Sequence, residues 1–175
     1  MKSRLKVFVT LLLSSFIASQ SHSADDSKQL SVTEETFRCL SELAATGRFF
    51  VGNILGNLDD TLAVANSENG GSFPPGSLVT LVPVEAMIKH EEGWNPATND
   101  WEFFLLDVSE EGSRIAARGG AEVVNQAGSC FGCNQLARPE WDLVCGENHG
   151  CAPLPFSLEQ IRDVQKSDPR CMRKD

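Results

Sequence analysis

Apolar and polar positions along the chain fall into successive patterns. Lys2, Arg4 and Lys6 make a basic start, and an apolar run follows from Val7 to Ala18, broken only by Thr10, Ser14 and Ser15. Small and polar residues come next, Ser19-Gln-Ser-His-Ser-Ala24. This order reads as a secretory signal peptide over residues 1–23, cleaved near Ser23/Ala24. The run is too short to anchor the chain across a bilayer. No cysteine follows it, so a lipid-anchored start is not indicated.

Beyond the leader, Phe37, Leu40, Leu43 and Ala44 recur at helical spacing behind Ser31 or Thr33 as a cap, with Gly47 as the stop. Asp59 to Asn66 reads as a shorter helix with an acidic first turn. Asn69 to Gly76 is a turn-rich connector. Leu78–Val84 and Ala86–Lys89 are β-like, and residues 93–100 form a loop. Trp101 to Val108 is the strongest strand of the chain. Its Trp101, Phe103 and Leu105 share one face, and Glu102, Phe104 and Leu106 share the other. A strand apolar on both faces except at Glu102 belongs inside a sheet. Ser109–Ser113 turns it, and Arg114–Arg118 returns. Residues 130–151 are loop-like and rich in cysteine. Ser157-Leu-Glu-Gln160 is a capping-box pattern that opens a last helix, which Asp168-Pro169 ends. The expectation is an α+β fold over residues 24–175, a single domain with an antiparallel β-sheet in the middle and helices at both ends.

Charge and cysteine content narrow the function. The 175-residue chain carries a net charge of −9. Loss of the leader removes Lys2, Arg4 and Lys6 and leaves 12 basic residues against 24 acidic ones. Such a chain is repelled by phosphate backbones, so no nucleic-acid partner is expected. No later segment is apolar enough to cross a membrane, so a periplasmic or secreted location without membrane association is expected. All six cysteines lie beyond the leader, and an oxidising compartment commits them to pairs or to ligands.

The most informative motif is Cys130-Phe-Gly-Cys133-Asn134. Two thiols separated by two residues meet one partner from a single turn. The spacing serves a disulfide, half of a metal site, or two thioether links to haem. Attached haem ordinarily takes a histidine directly after the second cysteine, and Asn134 stands there.

Taken together, Pro74-Pro-Gly-Ser77, Val84-Glu-Ala-Met-Ile-Lys-His90, the stretch from Gly93-Trp-Asn-Pro through Asn99-Asp-Trp-Glu-Phe-Phe104, Cys130-Phe-Gly-Cys133 and Glu140-Trp-Asp-Leu-Val144 resemble cytochrome P-460-like proteins over about residues 34–151. The resemblance implies an antiparallel sheet with helices, a homodimer, and a c-type haem on Cys130 and Cys133. It also implies small-molecule binding, electron transfer or oxidation of a small nitrogen compound such as hydroxylamine. Two positions depart from the family. Asn134 replaces the proximal histidine, for which His149 is the replacement candidate. Leu81 stands where the hydroxylamine-oxidising members carry a haem-linked lysine, and Lys89 lies one strand later. The expected partner is a small molecule or a redox protein. The alternative is a haem-free, disulfide-stabilised relative that binds something else in the same pocket.

The remaining cysteines offer other pairings. Cys145 and Cys151 flank a short loop, and Cys39 and Cys171 lie near the two ends, so each couple can form a disulfide, one arrangement among fifteen. Cys130, Cys133, Cys145 and His149 also have the spacing of a closed structural zinc site. A thiol–disulfide exchanger lacks its expected strand–helix–strand context. Trp94, Trp101 and Trp141 read as core or pocket-wall residues. No phosphate loop, zinc-protease motif or nucleophile elbow is present, and no carboxylate pair is placed for acid–base work.

Overall fold

The computed structural model describes residues 25–126 and 128–172. The expected leader, residues 1–23, lies outside the described residues. Six strands form one antiparallel meander in which every strand pairs with its sequence neighbour. They are β1 (Ala44–Thr46), β2 (Phe49–Asn53), β3 (Ser77–Thr80), β4 (Glu85–Lys89), β5 (Trp101–Ser109) and β6 (Gly112–Gly119). The helix α1 (Leu58–Ala65) bridges β2 and β3. After the sheet come a two-stranded ribbon of β7 (Val124–Asn125) and β8 (Gly128–Ser129), then α2 (Cys130–Asn134) and α3 (Leu158–Lys166). The α+β expectation therefore holds at the level of class: an antiparallel sheet with a few helices.

The alternation on β5 explains why the sheet is covered on both sides. Trp101 and Phe103 join Val51, Phe73, Val79, Met87, Val123 and Val144 in one buried cluster. Phe104 and Leu106 join Val32, Phe37, Leu78, Ala86 and Ile88 in another. β5 sits between β4 and β6, an interior position, as its two apolar faces require. Opposite Leu105 and Leu106 the register slips by one residue, and Ala116 of β6 is the extra residue of the bulge.

The second face is covered by a strap, residues 29–37, in place of a helix. Its backbone is anchored by side chains of the sheet: the Leu30 amide donates to His90 Nδ1 at 2.7 Å, and Arg118 donates to the Val32 carbonyl at 3.0 Å. The helix expected from residue 31 or 33 to Gly47 is absent. Two short 3-10 turns (Glu34–Thr36 and Leu40–Glu42) lead directly into β1. The apolar spacing was genuine, but its residues serve different partners: Phe37 and Leu43 pack in the second cluster and Ala44 in the first. Gly47 is a hairpin residue and not a helix stop. It sits at φ +54° between the paired Thr46 and Phe49.

The C-terminal helix follows its capping box. Ser157 and Gln160 satisfy each other's backbone amides at 3.2 and 2.8 Å, and Ile161 is its buried residue. The turn beyond α3 is tied to the strap's end by the Cys39–Cys171 disulfide. Beside it the fully buried Asp168 accepts from the Leu40 amide at 3.0 Å and pairs with Arg170 at 2.8 Å.

Candidate functional site

Apolar strand residues on the first sheet face are only partly covered by the helices that pack there. There a pocket of about 920 Å³ opens between the sheet, α1 and the segment running from residue 138 to α3. Val51 of β2 and Val79 of β3 border it, with Phe73 from the connector and Val64 and Ala65 from the end of α1. The far wall is irregular chain, residues 146–154, closed by the Cys145–Cys151 disulfide.

This wall is shaped by turn chemistry. Asp142 and Leu143 adopt positive φ, 46° and 65°, and aim Trp141 and Val144 at the pocket. Trp141 stacks on His149 with ring centroids 3.7 Å apart and planes 7° from parallel. His149 Nδ1 lies 2.6 Å from the Val144 carbonyl and 2.9 Å from the Gly146 amide.

Three guanidiniums and one carboxylate border the pocket: Arg48, Arg138, Arg162 and Glu147. Arg138 is held by Glu140 at 2.8 Å on the surface. Arg162 has no hydrogen-bond or ion-pair partner among the described residues. Arg48 donates one terminal nitrogen to the Cys145 carbonyl. Burial pushes the pKa of Arg48 down, against the pull of Glu147. Its Nε and the Nε1 of Trp141 are buried without a hydrogen-bond partner. Two orphaned donors on one cavity are unusual, because buried polar atoms are nearly always satisfied.

The cysteines divide. Cys39–Cys171 and Cys145–Cys151 are bonded, the pairing set out from the sequence. Cys130 and Cys133 are free thiols on the first turns of α2, whose N-cap Ser129 accepts from the Gly132 amide at 2.9 Å. Cys130 packs with Phe131 against the first cluster. Burial pushes its thiol up to about 11, with the Glu85 and Cys133 charges adding, the opposite of what a reactive thiolate requires. Asn134 turns back and donates its amide to the Cys130 carbonyl at 2.8 Å.

Of Cys130, Cys133 and His149, the residues expected to hold haem, only His149 borders the pocket. The zinc set is not assembled either, since the Cys145 sulfur is bonded to Cys151. Among the described residues the single cluster of three metal-capable groups is Cys39, Asp168 and Cys171, and its two sulfurs are bonded to each other.

Two buried networks escaped sequence reasoning. Lys89 Nζ lies 2.9 Å from both carboxylate oxygens of Asp142 and 2.5 Å from the Asn99 carbonyl, over the Trp101 ring. On the other face Glu102 receives His90 at 2.7 Å and Arg118 at 2.7 and 2.8 Å. Glu102, the one charge in the otherwise apolar run 101–106, was the available signal. Lys89 is thus committed to Asp142, and Trp101 is core, whereas Trp141 is a pocket wall. No helix among the described residues is long and apolar enough to cross a membrane. No protein-family model, curated protein or solved structure matches the chain.

Proposed function

We propose that this chain is an exported, disulfide-stapled binding protein of cytochrome P-460-like architecture that takes a small molecule in the pocket beside Trp141 and His149, without covalent haem. The observation that carries the reading is the pocket itself. Its volume of about 920 Å³ lies at the upper end of the usual range for small-molecule sites. It combines an apolar wall with a few polar groups, which is how such sites fix orientation. Two disulfides and an acidic, soluble composition suit an oxidising compartment, periplasmic or extracellular.

A charge-blind test examines this reading. The neutral, environment-sensitive dye Nile red should bind the folded protein with saturable fluorescence. Ala65→Phe, which narrows the pocket from the end of α1, should weaken the signal in a protein that still unfolds cooperatively in urea. Equal dye binding by wild type and Ala65→Phe would refute the pocket as the site.

A second reading, a divergent c-type haem protein that binds small molecules or transfers electrons, rests on Cys130 and Cys133 remaining thiols while the other four cysteines are paired. It requires α2 to lift Cys130 out of the first cluster, because that cysteine borders no part of the pocket.

A further inference from the structure

Resting on the pocket as a binding site, we infer that its ligand is a flat aromatic anion, a carboxylate carried on an apolar ring system. The argument begins with charge. A chain with a net charge of −9 repels anions at long range, so its few cations matter where they gather. Three arginines border this one cavity against the single carboxylate of Glu147. Arg138 is neutralised by Glu140, which leaves Arg48 and Arg162 without a carboxylate in contact.

The hydrogen-bond inventory points the same way. Arg48 Nε and Trp141 Nε1 are donors, both buried, both without an acceptor, and both on residues that border the cavity. A buried donor left unmade costs about 1–3 kcal/mol, so a turn of either side chain that brings its donor to an acceptor in the cavity would be favoured. A carboxylate offers two oxygens and matches the fork of a guanidinium. A neutral ligand would offer an acceptor but no counter-charge to the two arginines that lack a carboxylate in contact.

The rest of the ligand follows from the walls. The parallel Trp141–His149 pair gives a planar aromatic surface, and Phe73, Val51 and Val79 give an apolar one. Flat rings stack on such a surface, whereas a flexible alkyl chain loses more conformational freedom on binding there.

Calorimetric titration with 2-naphthoate and its neutral isostere 2-naphthamide tests the inference. The carboxylate should bind at least about tenfold more tightly than the amide, the size expected of a charge-assisted bond. Arg48→Met should lose about tenfold for 2-naphthoate only. Arg162→Met, on the exposed side of α3 and harmless to the fold, should lose about three- to fivefold, as expected of a solvent-screened cation. Equal affinities for the two naphthyl compounds, or no effect of either arginine variant on 2-naphthoate, would overturn the anion preference and leave the pocket reading standing. Binding of neither compound, together with loss of Nile red binding, would overturn both.

Discussion

Asp142→Asn isolates the buried ion pair that fixes the pocket wall. Asn keeps the side-chain shape and tolerates the positive φ of 46° at this position, so backbone strain does not enter. The substitution removes the counter-charge of Lys89, whose side chain is 8% exposed, with Asp142 at 6%. It also removes one of two acceptors that serve Lys89 Nζ and the Phe73 amide, which donates to Asp142 at 2.9 Å. Leaving one member of a buried pair uncompensated costs about 3–5 kcal/mol. The Asn99 carbonyl and the Trp101 ring still face the ammonium, so the expected loss lies near the lower figure. Lys89→Met in the Asp142→Asn background removes the stranded charge and should recover about half of it, because a matched apolar replacement is often near neutral. Urea unfolding followed by tryptophan emission, with both disulfides intact, measures each step. A loss below about 1 kcal/mol in Asp142→Asn, or additive losses in the double variant, would refute the coupling inferred from the geometry.

Further tests address electrostatics and covalent ties. Burial raises the pKa of Glu85 despite a hydrogen bond from Asn125. Its ionised form is therefore disfavoured in the fold, so Glu85→Gln should raise the urea midpoint at pH 7, and the gain should vanish below the unfolded carboxylate range, where both states are protonated. Glu102 and Asp168 act oppositely: burial pushes each up, but hydrogen bonds from His90 and Arg118, and from Arg170 and the Leu40 amide, hold each below its ordinary value. Their contribution is complete above the unfolded carboxylate range and is lost as pH falls through the lowered folded values, so Glu102→Gln should flatten the acid limb of the stability profile. The disulfides should differ in weight. Cys39–Cys171 spans 132 residues and its double Ser variant should lose about 5 kcal/mol, whereas Cys145–Cys151 spans 6 and should lose about 2 kcal/mol in the chain-entropy model.

The sheet was legible because its signals are local. β5 is a long run of aromatic and aliphatic residues that fills both faces, and the 109–113 turn returns it on itself as β6. The capping box at Ser157 marked α3 to within a residue of its start. The strap was misread because apolar residues at helical spacing also suit a chain that crosses a sheet and feeds a hairpin at Gly47. The two disulfides were found by position along the chain. The pocket was not, since it gathers Arg48 from a hairpin, Phe73 from a connector, Trp141 and His149 from a wall of turns and Arg162 from α3. Only His149, and Trp141 as a wall residue, stood out beforehand. Nothing local in sequence shows that Cys130 packs into the core while His149 borders the pocket.

The central claim is a stapled, haem-free binding fold, and intact mass measures it most directly. The mature protein should be produced by an exporting host equipped for haem attachment, then weighed before and after alkylation in denaturant without reductant. The account predicts the polypeptide mass less the hydrogens of two disulfides, and two alkylated thiols at Cys130 and Cys133. Added mass of one haem, lost when Cys130 and Cys133 are changed to Ser, would contradict it and establish the chain as a c-type haem protein.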